Sequence, residues 1–280
     1  MFDRVLVPTD GSGPANAALE YAAEIAARED LTVYVLHVVD PDDDLPATTV
    51  EDLLEAGRTW AADANAPIID AVRTGAPSEA ILEFAADHDV DAVVMGTRGR
   101  RGIGRLLLGS VTEAVVRDAD VPVLVVRGSA DVRRRYPVET VLVPSDGSVH
   151  ADVAVEHALA IADHLGADVH VVTSVDVSPA ELGEGTDLRL DRLEAHARSV
   201  VDDAADRAAG TDLEVTTAVR HGSIARTIRT YAEEHDVDLL VMGTHGRSGI
   251  DRLLLGSVTE RVLRTAPAPV LTVRAPETDQ

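Results

Sequence analysis

The chain has 280 residues, of which 45% are hydrophobic and only 2% aromatic, and its formal net charge at pH 7 is −24. This composition predicts a packed and mainly aliphatic core, and so acidic a surface disfavours nucleic acid and anionic lipid as partners. The sequence contains no Cys and no Lys, which excludes thiolate chemistry, Schiff bases and a phosphate-binding lysine. An acidic chain whose basic residues are all Arg is typical of proteins adapted to high salt. We therefore expect a halophile as the source, with GC-rich coding bias as the alternative.

No apolar run in the sequence is long enough to span a bilayer. The first residues lead at once into an apolar stretch and lack the layout of a signal peptide. We therefore expect a soluble, cytoplasmic protein that binds neither membranes nor nucleic acid.

Apolar runs alternate with helical patterns along the first half of the chain. Short apolar runs predict strands, and Ala-rich stretches with helical apolar spacing predict helices. In chain order the predicted elements are a strand at residues 4–7, a helix at 14–28, a strand at 31–39, a helix at 50–62, a strand at 68–72, a helix at 77–88, a strand at 92–95, a helix at 110–117 and a strand at 121–126. This alternation predicts a parallel sheet covered by helices on both faces, with a ligand crevice at the carboxyl ends of the strands.

The second half of the chain repeats the first. The run Val-Leu-Val-Pro-Thr-Asp-Gly-Ser at residues 5–12 returns at 141–148 with Ser for Thr, and Met-Gly-Thr-Arg-Gly at 95–99 returns at 242–246 with His for Arg. The copies predict domains at residues 1–128 and 138–275, joined by an Arg-rich linker that we expect to be solvated. The first motif recurs after 136 residues and the second after 147, so the second copy holds 11 more residues between its motifs. We expect these in a loop around residues 178–190.

Each copy has a polar loop after its first strand and a glycine-rich loop after its fourth. Asp10 and Asp146 follow the first strands and are interpreted as hydrogen-bond acceptors for a nucleotide or for the loop backbone, with a catalytic base or metal ligand as the alternative. The glycine-rich loop has the spacing Gly-x2-Gly-x9-Gly-Ser in both copies. It leads into a helix whose free N–H groups and positive dipole end suit a phosphate.

The glycines of this loop permit positive φ angles and a close approach of the backbone. The alternative interpretation is that they only shape a turn, and that Ser110 and Ser257 are helix caps.

Together these residues resemble the universal stress protein family. The resemblance rests on Pro-Thr/Ser-Asp after the first strand, on the glycine spacing and on Leu-Leu-Leu-Gly-Ser-Val-Thr-Glu at residues 106–113 and 253–260, and it covers nearly the whole chain as a tandem pair. It implies an α/β fold of two doubly wound domains, each a five-stranded parallel sheet of order 3-2-1-4-5. It also implies the binding of an adenine nucleotide such as ATP, with Mg²⁺ carried by the phosphates and no metal held by protein side chains.

The resemblance also implies which residues form the two sites. In the first copy Asp10 is expected beside the adenosine, Val38 beside the adenine, and Gly96, Arg98, Gly99, Gly109, Ser110 and Val111 around the phosphates. Pro8, Thr9, Arg100 and Thr112 are further expected nucleotide-binding residues of this copy. In the second copy they are Pro144, Ser145, Asp146, Gly243, His245, Gly246, Arg247, Gly256, Ser257, Val258 and Thr259. The family's pairing of last strands implies an intramolecular pseudo-dimer through residues 121–126 and 268–273. A homodimer of the whole chain and the protein partner stay open.

The two copies are not equivalent. Residues 98–105 hold four Arg and no acid, whereas residues 245–252 hold two Arg, one His and one Asp. Ser174 stands where the first copy has Val38. We therefore expect two unequal sites, of which the first binds a nucleotide triphosphate more tightly.

Histidines of the second copy suggest two further sites. Asp146, Ser148 and His150 form a hydrolytic triad on paper, but the first copy has no His there and the Gly-x-Ser-x-Gly elbow is absent. His150, His157 and His164 recur every seven residues on one predicted helix, so neighbours lie about 10 Å apart along the axis and cannot share a metal ion. We interpret them as a solvated helix face.

The leading functional hypothesis is a nucleotide-binding stress-response or regulatory protein. The first alternative is a slow ATPase or autokinase that uses Ser110 or Thr112, although no general base stands in the motif. The second alternative is a nucleotide-independent interaction or chaperone-like protein, in which both loops are purely structural.

Overall fold

The strands and helices predicted for the first copy are present, with ends shifted by at most two residues, apart from the helix at residues 50–62. They are β1 (Arg4–Pro8), α1 (Gly13–Glu29), β2 (Thr32–Val39), β3 (Ile68–Thr74), α2 (Pro77–Asp87), β4 (Ala92–Gly96), α3 (Ser110–Asp118) and β5 (Val123–Val126). The computed structural model describes residues 2–41, 55, 67–99, 108–176, 186–246 and 255–275. The helix predicted at residues 50–62 therefore lies outside the described residues, except for Glu55, which is helical.

The second copy repeats this order of elements. They are β6 (Thr140–Pro144), α4 (Val149–Leu165), β7 (Asp168–Val175), α5 (Thr186–Asp206), β8 (Val215–His221), α6 (Ile224–Glu234), β9 (Leu239–Gly243), α7 (Ser257–Thr265) and β10 (Val270–Val273). The prediction of a loop around residues 178–190 is wrong for its last residues, because helix α5 begins at Thr186. The residues before α5, 177–185, lie outside the described part of the chain.

Each of the two compact units, Met1–Tyr136 and Pro137–Gln280, contains a five-stranded parallel sheet. The strand order is β3-β2-β1-β4-β5 in the first unit and β8-β7-β6-β9-β10 in the second. Both are the predicted order 3-2-1-4-5 with helices on both faces, so the predicted fold class is confirmed. Every residue of β4 and β9 is buried, as expected for strands that are covered on both faces.

Helix α1 packs on the sheet through a face made mostly of alanine. Its buried residues are six alanines, one leucine and one tyrosine, and it contacts β1, β4 and β5. Ser12 caps the helix by accepting a hydrogen bond from the Ala15 amide, and Asp30 ends it in the left-handed conformation. Helix α4 begins in the same way, with Ser148 as its cap. Small side chains let the first turn of each helix come close to the end of a central strand.

The segment that joins the two copies is packed against the first unit. Tyr136 is 7% exposed, and its hydroxyl donates to Glu29 at 2.5 Å. The Tyr21 hydroxyl donates to the carbonyl oxygen of Arg135 at 3.1 Å. Burial, with the neighbouring Glu29 carboxylate, raises the pKa of the Tyr136 phenol, so the phenol stays a donor at any ordinary pH. The expectation of a solvated linker is therefore wrong for Val132, Tyr136 and Val138, which are buried, whereas Arg135 of its arginine run is exposed.

Removing the Tyr136 hydroxyl is expected to destabilise the first unit. Tyr136→Phe leaves the Glu29 carboxylate without this donor, and a hydrogen bond to a charged group contributes about 2 kcal/mol. Tyr34→Phe is the matched control, since no hydrogen bond from the Tyr34 hydroxyl is found among the described residues. The measurement is the free energy of unfolding from denaturant titration in molar salt. Equal effects of the two substitutions would contradict the role given to Tyr136.

Candidate functional site

The two polar loops lie where the strand order reverses in each sheet. Strand β1 pairs with β2 on one side and with β4 on the other, so the connections after β1 and β4 leave in opposite directions. This divergence opens a crevice at the carboxyl ends of the strands. The Oδ1 atom of Asp10 accepts a hydrogen bond from the Ser12 amide at 3.0 Å, and Asp146 holds the Ser148 amide at the same distance. Each carboxylate thus shapes the turn that precedes a helix.

The first glycine of each glycine-rich loop is required by close packing. A β-carbon on Gly96 would lie 2.5 Å from the carbonyl carbon of Pro14, and one on Gly243 would lie 2.7 Å from the His150 β-carbon. Both clashes are with the first turn of the helix that follows the polar loop. The glycine-rich loop and the polar loop of each unit are therefore in direct contact.

The second glycine faces the aspartate of the polar loop. A β-carbon on Gly99 would collide with the Asp10 carboxylate, and one on Gly246 would lie 2.7 Å from the Asp146 Oδ2 atom. Of the two properties that glycine permits in this loop, positive φ is not used at Gly96, at Gly99 or at Gly109, whose φ is −69°. Near the site, positive φ occurs instead at Gly11 and Gly147 of the two polar loops, and at Gly75 and Gly222 in the turns before α2 and α6. Close approach, and not backbone conformation, accounts for glycine in this loop.

The third glycine is the N-cap of the following helix. Gly109 precedes α3 and Gly256 precedes α7, and neither helix start receives a side-chain capping hydrogen bond. Helices α1 and α4, in contrast, are capped by Ser12 and Ser148. The interpretation of Ser110 and Ser257 as caps is therefore wrong, since each is the first residue inside its helix, with an exposed side chain.

The threonine of the first helical turn joins the helix to the fourth strand. The Thr112 hydroxyl donates to the Gly96 carbonyl at 2.8 Å, and Thr259 donates to Gly243 at 3.0 Å. Both threonines are 3% exposed. Because each hydroxyl proton is used in this bond, Thr112 and Thr259 fix the loop's two ends together.

Most of the residues assigned from the sequence lie along this edge of each sheet. Pro8 ends β1 and Thr9 and Asp10 follow it, Val38 is near the end of β2, and Arg98 and Val111 lie in the loop after β4 and the first turn of α3. The matching positions of the second unit are Pro144, Ser145, Asp146, His245 and Val258. Arg100 and Arg247 lie outside the described residues. His37, which the sequence did not single out, is 2% exposed and contacts the Thr9 carbonyl oxygen through Nδ1 at 2.8 Å.

Ser174 differs from Val38 in what its side chain contacts. The Ser174 hydroxyl donates to the Gly222 carbonyl at 2.7 Å and lies 3.3 Å from the Thr227 hydroxyl. The end of β7 is thus hydrogen-bonded to the turn before α6. The Val38 side chain, near the end of β2, cannot form such a hydrogen bond.

His150 belongs to the second site and not to a solvated helix face. Its ring is 5.3 Å from that of His245, and its Nδ1 atom accepts a hydrogen bond from the Ala275 amide at 3.1 Å. Burial, and then the neighbouring His245, lower the pKa of His150, and Asp146 opposes the shift. The predicted solvated face is therefore wrong at this residue. A sequence signal was present: Pro14 and Gly128 of the first copy are replaced together by His150 and Ala275.

Two negative findings hold for the described residues only. No group of three His, Asp or Glu side chains there could hold a metal ion, and no helix is long and apolar enough to cross a membrane. The hydrolytic triad considered for Asp146, Ser148 and His150 is not formed either. The Ser148 hydroxyl accepts a hydrogen bond from the Ala151 amide, and His150 Nδ1 accepts one from the Ala275 amide.

Adding one methyl group at Gly96 is expected to disrupt the site and destabilise the first unit. Gly96→Ala places a β-carbon against the backbone of Pro14 and Ala15, and such overpacking costs about 3 kcal/mol. Gly13→Ala is the control, because its β-carbon would meet no atom within 4 Å, and we expect a change of less than about 1 kcal/mol. Unfolding in denaturant measures both. A neutral Gly96→Ala would show that helix α1 does not pack closely on β4.

Acid is expected to destabilise the second unit through His150. Because the pKa of His150 is lowered by folding, the unfolded chain binds the proton more readily, and stability is lost as the pH falls below about 6.5. His150→Asn keeps an acceptor for the Ala275 amide and does not titrate. We expect the fall in melting temperature between pH 7.5 and 5.5 to be smaller in this variant. His164→Asn, on an exposed position of the same helix, should leave the fall unchanged.

Comparison with known proteins identifies the family. The universal stress protein family model matches residues 1–127 and 137–274. A universal stress protein of Mycolicibacterium smegmatis is 31% identical over 295 residues, which cover 96% of each chain, and one of Methanocaldococcus jannaschii is 36% identical over 140 residues, 49% of this chain and 82% of its own. The crystal structure of a universal stress protein from Archaeoglobus fulgidus has the same fold, with a TM-score of 0.70, 23% identity and 98% of both chains covered. The chain belongs to the universal stress protein family, as a member with two family domains in tandem.

Proposed function

We propose that the chain binds an adenine nucleotide such as ATP in each of its two units, and that nucleotide occupancy is the signal it transmits in a stress-response or regulatory role. The observation that supports this proposal is that helices α3 and α7 begin without a side-chain cap, beside the aspartate loop. Each has an N-cap glycine, no side-chain cap and a neighbouring loop that leads to Asp10 or Asp146. Such an N-terminus presents unpaired N–H groups and the positive end of the helix dipole.

Phosphates are the ligand that this arrangement suits best. The chain has no Lys, so a phosphate would be held by backbone N–H groups, by the exposed Ser110 or Ser257 hydroxyl and by Arg side chains. Asp10 and Asp146 would lie beside the ribose and adenine, next to Val38 in the first unit. Mg²⁺ would be carried by the phosphates, since it keeps most of its ligands from water and phosphate oxygens.

The same proposal makes the two sites unequal. Arg98 of the first site is replaced by His245, which carries a full charge only when protonated. Val38 is replaced by Ser174, whose hydroxyl is bonded to Gly222. We infer that the first site binds a nucleotide triphosphate more tightly, because a permanent guanidinium charge and an apolar base contact both favour it.

One observation bears on the enzymatic alternative. The Thr112 hydroxyl is buried and donates to Gly96, whereas the Ser110 side chain is exposed at the helix start. A slow autokinase would therefore use Ser110 as its acceptor. Incubation with labelled ATP, followed by comparison of wild type with Ser110→Ala, distinguishes this activity from simple binding.

The direct test is to look for nucleotide that purifies with the protein. Protein purified in molar salt is denatured, and the released small molecules are identified by mass spectrometry. We expect an adenine nucleotide at up to two per chain. Finding none, together with no ATP binding in molar salt by calorimetry, would contradict the proposed function.

A charge placed at the helix start is expected to abolish binding at one site at a time. Gly109 has φ −69° and ψ 141°, which Asp and Asn both adopt as helix caps. A β-carbon there would lie 3.1 Å from the Arg98 α-carbon, so both side chains crowd the loop to the same extent, but only the Asp carboxylate would repel phosphate. We expect Gly109→Asp to remove the tighter of two binding events in calorimetry, and Gly256→Asp to remove the weaker. Gly109→Asn has the same shape without the charge and should retain more affinity. Equal losses from Gly109→Asp and Gly256→Asp would contradict the inequality of the sites.

A further inference from the structure

A pair of histidines distinguishes the second site from the first. His150 lies in the first turn of α4 and His245 in the loop after β9, with ring centroids 5.3 Å apart and 46° between the ring planes. The first unit has Pro14 and Arg98 at the equivalent positions. Neither Pro nor Arg changes charge between pH 5 and 8, whereas His does. The second site therefore contains a titratable pair that the first site lacks.

Charged and titratable groups around His150 influence the protonation of the His150–His245 pair. Asp146 faces it from the loop after β6, His245 from the loop after β9 and Arg274 from the segment after β10. Two imidazolium ions this close repel each other, and Arg274 adds a further positive charge, so double protonation is disfavoured. A bound anion reverses this balance, because it stabilises a positive charge beside it.

Hydrogen bonds indicate which histidine takes up the proton. Nδ1 of His150 accepts from the Ala275 amide at 3.1 Å, so protonation of that nitrogen would break the bond. Nδ1 of His245 lies 3.1 Å from the Thr244 hydroxyl, and a hydroxyl can accept as well as donate. The contact of His245 with Thr244 is therefore compatible with hydrogen on either ring nitrogen, whereas the contact of His150 with Ala275 requires a bare Nδ1.

We propose that the second site binds its phosphate ligand together with a proton taken up by the His150–His245 pair, whereas the first site, which has Arg98, binds without this uptake. The inference rests on the proposed function, since the ligand is the nucleotide phosphate of that same site. The first site has no such pair beside its glycine-rich loop, although His37 contacts the Thr9 carbonyl oxygen in that unit, so its binding is expected to depend less on pH than binding at the second site.

The direction of the pH dependence follows from linkage. The liganded second site holds more protons than the free one, so its association constant rises as the pH falls through the range near the ordinary histidine pKa of about 6.5. Uptake of one proton changes the constant by at most about tenfold per pH unit. Between pH 8 and 6 we expect a rise of about fivefold to tenfold at the second site, and of less than about twofold at the first.

The experiment isolates one site at a time and counts protons. Gly109→Asp leaves the second site and Gly256→Asp leaves the first. Calorimetric titration with ATP and Mg²⁺ at pH 7 in molar salt, in two buffers of different ionisation enthalpy, gives the protons taken up per nucleotide. We expect about half a proton at the second site and close to none at the first, by the same linkage. Any proton exchanged by the nucleotide itself contributes equally to both.

Reciprocal substitutions then test the residues. His245→Arg in the Gly109→Asp background should remove the uptake, and Arg98→His in the Gly256→Asp background should create it. His245→Gln replaces His245→Arg if circular dichroism shows that the latter does not fold, and it too should remove the uptake. Equal uptake at both sites, or uptake that survives loss of the His245 imidazole, overturns this inference and leaves the proposed function standing. Absence of nucleotide binding to the wild-type chain at every pH overturns the proposed function, and this inference with it.

Discussion

The close approach of a helix to the last residue of a central strand is the constraint on which the rest of each site depends. The first turn of α1 lies against Gly96, and that of α4 lies against Gly243, with no room for a β-carbon between them. The alanine face of α1 allows this approach, and Thr112 of α3 donates to the carbonyl oxygen of the same glycine, Gly96. Three elements thus meet at one glycine. Their meeting brings the aspartate loop, the glycine-rich loop and an uncapped helix start to one edge of the sheet.

The way the copies have diverged follows from this constraint. Pro14 packs against Gly96 and Gly128 in the first unit, and a β-carbon on Gly128 would lie 2.9 Å from the Pro14 α-carbon. In the second unit His150 takes the place of Pro14 and Ala275 that of Gly128, with a hydrogen bond from the Ala275 amide to the imidazole. The packing is kept while a titratable group enters the site. The scaffold therefore tolerates a change in the site's chemistry as long as the contact with the strand glycine is preserved.

Composition limits how such a site can work. A chain with no Lys has Arg and protonated His as its only cationic side chains, and must otherwise bind an anion through neutral donors such as hydroxyls and backbone N–H groups. Backbone N–H groups at a helix start are positioned by the fold. They bind an anion by short hydrogen bonds, which salt screens less than it screens the attraction between distant charges. Such local donors matter in a chain whose net charge of −24 repels anions in general.

The sequence by itself determined the duplication, the order of strands and helices and the strand order of each sheet, because the repeat is direct and the family resemblance is carried by two separate motifs. It also placed the glycine-rich loop at a helix start, since a strand, a glycine spacing and a helical pattern follow one another along the chain. It did not determine why the glycines are there: from the sequence, positive φ and close approach were both open, and only the structure shows that Gly96 and Gly99 are set by contacts with Pro14 and Asp10, which are about 80 to 90 residues away in the chain. The same holds for His150 and Tyr136, whose partners His245, Ala275 and Glu29 are brought to them only by the tertiary structure. Local pattern fixes elements, whereas burial and hydrogen-bond partners depend on which distant segments the folded sheet brings together.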